Sequence, residues 1–148
     1  MRALVTCSGA LAGLMLIIAG GMVPAAILIP SPYLTAKVVE LSNSWQVPAV
    51  LLTPLIAGRS AGVIASIAYI TLGIFHLPVF HGGGSIYYLQ SPVFGYLLGF
   101  IPASWLIGSL MLRKSKKNLF HLTIIVLIGL LIIHICGCIN IILGSIMG

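Results

Sequence analysis

Residues 119–146 read LFHLTIIVLIGLLIIHICGCINIILGSI, without a single Asp, Glu, Lys or Arg. A helix needs ~20 apolar residues to cross the hydrocarbon core of a bilayer, so this run is long enough to span one. Working outward, the basic cluster Arg113-Lys114-Ser115-Lys116-Lys117 precedes it, and four further apolar runs lie at about 93–112, 61–75, 45–58 and 3–29. The 148 residues are 60% hydrophobic and 5% charged, against ~25% charged in an ordinary soluble domain. The expectation is a single all-α integral membrane domain, 1–148, with five transmembrane segments. The second and third are short for spanning helices, and Pro48 and Pro54 predict a kink or unwinding in the second.

The net charge of +6 is a topology signal rather than a nucleic-acid surface, because no basic residue is interleaved with aromatics on a polar face. With the amino terminus in the cytoplasm, Arg2, Arg59 and the 113–117 cluster fall inside, and Lys37 with Glu40 falls outside. Residues 30–44 and 76–92 are then external loops, able to cap one cavity jointly. A cleaved signal peptide is disfavoured for residues 1–29, since the apolar run exceeds the 7–15 residues of an h-region. Gly9 and Gly13, four residues apart on that first helix, offer a surface for close approach of another helix.

Between the third and fourth runs stands LPVFHGGGSIYYLQSPVFGYLLGF, residues 77–100, a polar and aromatic patch in an otherwise apolar chain. Its three glycines permit close backbone approach to a ligand, and Pro78 and Pro92 fix where the neighbouring elements stop. His81, Ser85, Tyr87, Tyr88 and Gln90 supply binding chemistry. Tyr33, Trp45, Tyr87 and Tyr88 also suit interfacial anchoring.

Several chemistries are excluded. Gly58-Arg59-Ser60-Ala61-Gly62 matches G-x-S-x-G and His81-Gly82-Gly83-Gly84 matches an esterase oxyanion motif, but their order is reversed and the topology separates them by a bilayer thickness. No G-x-x-x-x-G-K-[ST] loop occurs, so uphill transport requires a partner ATPase or an ion gradient. His134 is the sole candidate proton carrier at mid-membrane. His134 and Cys138 share a helical face that Cys136 does not, too few ligands for a metal; with Cys7, the cysteines serve as small hydrophobes. No catalytic residue, cofactor or metal is expected, and the chain is not read as an enzyme.

At Leu77-Pro78-Val79-Phe80 with the glycine triplet, and at Gly95-Tyr96-Leu97-Leu98-Gly99-Phe100, the chain resembles the BioY family, the biotin-specific S components of energy-coupling-factor (ECF) transporters. The likeness extends through Val47-Pro48, Leu55-Ile56-Ala57-Gly58, Ala61-Gly62, Ala68-Tyr69 and Leu72-Gly73, over roughly residues 45–145. It implies a membrane helical bundle in the cell membrane that binds biotin under external loops and relies on a transmembrane coupling protein and ABC-type ATPases. Gly9 and Gly13 would then resemble the surface that docks on the coupling protein. Family members have six membrane helices, and five are expected here. Gln46 stands where the family's binding glutamine is expected, although the residues before Val47 depart from the family pattern.

On that resemblance, Phe80, Tyr87, Tyr88 and Tyr96 are expected to enclose the apolar parts of biotin. Gln90, Gln46 or Asn140 are expected at its ureido group, because an amide both donates and accepts. The backbone of Gly82, Gly83, Gly84 and Ser85, with His81 and Lys37, is expected at the carboxylate. Asn140 has an alternative as a bond to a neighbouring helix. Two other functional classes fit the same composition: an assembly subunit of a membrane complex, and an ion-coupled carrier.

Overall fold

The computed structural model describes residues 1–30, 36–75, 77–80, 86–113 and 118–147. Helix α1 (Arg2–Met22) leads into an antiparallel hairpin, β1 (Pro24–Pro30) and β2 (Ala36–Ser44), followed by α2 (Gln46–Ala57) and α3 (Arg59–Phe75). A 3₁₀ helix (Ile86–Gln90) then precedes α4 (Phe94–Leu98), α5 (Phe100–Arg113) and α6 (Leu119–Met147). Three spans are long and apolar enough to cross a bilayer among the described residues: Arg2–Met22, Phe94–Arg113 and Leu119–Ile146. The protein is a multi-pass membrane protein. At 12 residues, α2 rises only roughly 18 Å, well short of the ~30 Å hydrocarbon core.

Each element ends for a local reason. The first helix was expected to run to residue 29 and instead stops at Met22, where Val23 turns extended (φ −95°, ψ 110°). Pro24 disfavours helical geometry in the residue before it, and Ile27 and Ile29 suit a strand better than a helix end. Within the expected loop 30–44, residues Ala36–Ser44 form the return strand of a hairpin, with Pro24 opposite Ser44 and Pro30 opposite Ala36. Pro48 does not kink α2, because it lies in the first turn, where its missing N–H has no intrahelical partner to lose. The fourth segment is divided at Gly99. Pro102 cannot donate the bond that the carbonyl of Leu98 would receive in an unbroken helix.

A tight reversal and several close helix contacts organise the bundle. Gly58, at φ 87°, takes a left-handed conformation that reverses the chain between α2 and α3. Helix α1 packs on both α2 and α3, α3 packs on α5, and α4 and α5 pack on α6. Gly9 and Gly13 are part of that interior: a Cβ at Gly9 would lie 2.9 Å from Ala57 Cβ, and one at Gly13 would run into Thr53 on α2 and lie 3.3 Å from Ala65 on α3. The close approach expected at these glycines is therefore made by this chain's own helices, and the assignment of Gly9 and Gly13 to partner docking is corrected. Between α3 and α5, the fully buried hydroxyls of Ser66 and Ser104 share a hydrogen bond of 3.0 Å.

Gly108 marks the closest meeting of α5 with the start of α3, where a Cβ would collide with the backbone of Arg59. Gly108→Val is expected to destabilise the bundle by about 1–3 kcal/mol, the usual cost of overpacking a close contact. Thermal unfolding in detergent reads this directly, and an unchanged midpoint refutes the contact.

Candidate functional site

A cavity of about 500 Å³ opens between the start of α2, the segment around Phe80, the α4–α5 span and the middle of α6. That size falls within the ~300–1,000 Å³ of small-molecule sites. Its wall is largely aromatic and aliphatic, from Phe80, Tyr88, Tyr96, Phe100, Leu130 and Ile133, with polar positions at Ser44, Gln46 and His134.

The aromatic wall is held by glycine seats and by ring-to-ring contacts. Phe80, 4% exposed, lies over Gly73 of α3, where any Cβ would penetrate its ring. It meets Tyr69 edge-on (centroids 5.4 Å, 66°) and Tyr88 at a tilt (4.8 Å, 40°). The Tyr96 ring is seated on Gly137 and stands edge-on to His134 at 5.8 Å. Burial raises the Tyr88 hydroxyl above its ordinary range, so it remains a neutral donor and acceptor at physiological pH.

Two polar groups differ from their surroundings. Gln46 is 7% exposed, and its Nε2 has no hydrogen-bond partner among the described residues. Gln46 begins α2 and lines the cavity, so an amide donor not spent on the described fold lies in the wall of the site. His134 Nδ1 donates to the carbonyl of Leu130 at 2.9 Å, because a carbonyl oxygen can only accept. In the neutral ring this leaves Nε2 as an acceptor.

Of the expected site residues, the structure brings Phe80, Tyr88, Tyr96 and Gln46 to one cavity. Tyr87, 78% exposed, and Gln90, also exposed, lie on the 3₁₀ helix away from its wall. Asn140 is a tie between elements: its Nδ2 donates to the carbonyls of Pro92 at 3.1 Å and Ser91 at 3.4 Å, fixing the entry to α4 against α6. His81, Gly82, Gly83, Gly84 and Ser85 lie outside the described residues. Ser60 of the discarded esterase pattern begins α3, and Gly73, on which Phe80 sits, is roughly 20 Å further along that helix.

His134 was read in the sequence only as a proton carrier or metal ligand, and its place on the wall was missed. The signal was its helical spacing: Leu130, Ile133, His134 and Gly137 recur at three- and four-residue intervals and form one face of α6.

An unpaired amide donor in a nearly dry site costs about 1–3 kcal/mol. Gln46→Leu, of similar volume, is therefore expected to raise the melting temperature of the ligand-free protein. A lowered midpoint would mean that the amide is satisfied within the fold.

A family model described as the BioY family matches residues 2–147. Over 89 residues the chain is 37% identical to the "Probable biotin transporter BioY" of Lysinibacillus sphaericus, covering 60% of this chain and 45% of that protein. Over 94 residues it is 31% identical to the "Biotin transporter BioY" of Thermotoga maritima, covering 62% and 54% respectively. The chain thus spans about half the length of these curated relatives. The fold is similar to the crystal structure of an S-component for biotin from an ECF-type ABC transporter, with a TM-score of 0.77 and 23% identity, over 99% of this chain and 76% of the other.

Proposed function

This chain belongs to the BioY family, and we propose that it is the biotin-capturing membrane subunit of an ECF-type importer. The observation that carries this reading is Gln46, buried in the wall of an aromatic cavity with an Nε2 donor that has no partner among the described residues. Biotin combines a ureido ring, an apolar thioether bicycle, an apolar chain and a carboxylate. The Gln46 Nε2 donor suits the ureido oxygen, and the His134 Nε2 acceptor suits a ureido N–H. Phe80, Tyr88, Tyr96 and Phe100 suit the bicycle, as in sites where aromatic walls carry a few placed polar groups.

The rest of the mechanism follows from what the chain lacks and where its charges lie. It carries no phosphate-binding loop, so a transmembrane coupling protein and ABC-type ATPases supply the energy in this reading. The basic residues Arg2, Arg59 and 113–117 favour a cytoplasmic amino terminus, with capture from the outside. The backbone amides of 82–85, with His81 and Lys37, are proposed to receive the carboxylate. A glycine triplet leaves those amides unshielded by side chains.

Purified protein is expected to retain labelled biotin saturably at nanomolar to micromolar concentration. Gln46→Leu should lose about ten- to a hundred-fold in affinity, as expected for a hydrogen bond made in a desolvated site. His134→Leu should lose a smaller factor. Absence of retention by the wild-type protein refutes the reading. Assembly with partners without biotin retention would instead identify an assembly subunit, and uptake abolished by an uncoupler yet insensitive to ATPase loss would identify an ion-coupled carrier.

A further inference from the structure

We propose that Tyr69 and Gly73, neither of which lines the cavity, are positioning residues that lock its Phe80 wall, and the segment leading into the glycine triplet, onto α3. The inference rests on the biotin-binding reading of the cavity and adds to it the residues that set how long the ligand is held.

Three contacts tie residues 77–80 to α3. The N–H of Leu77 donates to the carbonyl of Leu72 at 2.9 Å, closing the helix end. The hydroxyl of Tyr69, a fully buried side chain, donates to the carbonyl of Val79 at 2.9 Å. The Phe80 ring occupies the space that a side chain at Gly73 would take. Gly73 and Tyr69 are four residues apart on α3, so one helical face supplies both the seat and the bond. Phe80 is the last described residue before 81–85 and itself lines the cavity.

The same lock reaches the binding amide. A Cβ placed at Gly21 of α1 would lie 3.5 Å from the Val79 carbonyl oxygen, 3.6 Å from the Tyr69 hydroxyl and 3.8 Å from Gln46 Oε1. These three groups, from three segments, thus converge on one point beside α1. A shift of Val79 and Phe80 would alter the wall next to Gln46 without any change in the residues that touch ligand. Ser66, on the same helix, offers a contrast: its hydroxyl bonds Gly62 and Ser104 and has no link to residues 77–80.

The test compares Tyr69→Phe, Gly73→Ala and Ser66→Ala in the full chain by two measurements. Hydrogen exchange of the backbone amides of residues 77–90 reads the lock without ligand, and labelled biotin reads association and dissociation rates. Tyr69→Phe should speed exchange in this segment and raise the biotin dissociation rate about five-fold, the factor for one lost hydrogen bond, with little change in association. Gly73→Ala should do the same or more, while Ser66→Ala lowers the melting temperature and leaves both readouts unchanged. Unchanged exchange in Tyr69→Phe and Gly73→Ala overturns the proposal, as does faster exchange with an unaltered dissociation rate. Equal acceleration of dissociation by Ser66→Ala also overturns it, since general loosening would then account for the effect. If the wild-type protein retains no biotin, the proposed function fails, and the exchange data alone decide whether Tyr69 and Gly73 anchor the segment.

Discussion

Lipid tails are as apolar as leucine, so helices in a bilayer gain nothing from burying leucine against leucine, and this bundle depends on close approach instead. At several close helix contacts one side contributes a glycine: Gly9 and Gly13 under Ala57 and Thr53, Gly108 over Arg59. Close approach increases dispersion contacts and brings buried polar groups within bonding distance. Ser66 and Ser104 meet across α3 and α5 for that reason. Seventeen glycines in 148 residues are thus a packing resource as well as a loop composition.

The same device builds the cavity. Phe80 over Gly73 and Tyr96 over Gly137 are large rings seated on bare backbone, which holds them as walls. Polar groups on α3 and α6 then fix the segments that carry those rings, Tyr69 through Val79 and Asn140 through Ser91 and Pro92. The other buried polar side chains are hydrogen-bonded within the protein, Ser66 and Ser104 to each other and Thr53 to the Ala49 carbonyl of its own helix. Gln46 is the exception, with an unpaired donor among the described residues, and the proposed binding role rests on that difference.

Much of the fold was legible because its signals are local and strong. The apolar runs give the helices, the break between the runs 45–58 and 61–75 separates α2 from α3, and Leu77–Phe100 stands out by composition alone. The end of α1 was less legible, since residues 23–29 are as hydrophobic as the helix before them and only Pro24 and Pro30 mark the strand. Among site residues, Phe80, Tyr88, Tyr96 and Gln46 could be nominated from residue type together with the family resemblance. The division between Tyr88, on the wall, and Tyr87, beside it in sequence and exposed, could not. Adjacent residues on a 3₁₀ helix point about a third of a turn apart, so the difference depends on rotation against its neighbours.

The sequence by itself determined that this is a multi-pass membrane protein with one concentrated polar and aromatic patch, and carried the pattern of its family. Hydrophobic length and glycine placement are properties of the chain read along one dimension. Only the tertiary structure decided that Gly9 and Gly13 face inward, that Asn140 ties α6 to the entry of α4, and that His134 joins Gln46 at one cavity. A spacing of three or four places residues on a common helical face without saying which way that face turns. The direction is set by which helices approach closely enough to pack, and that is a property of the assembled bundle.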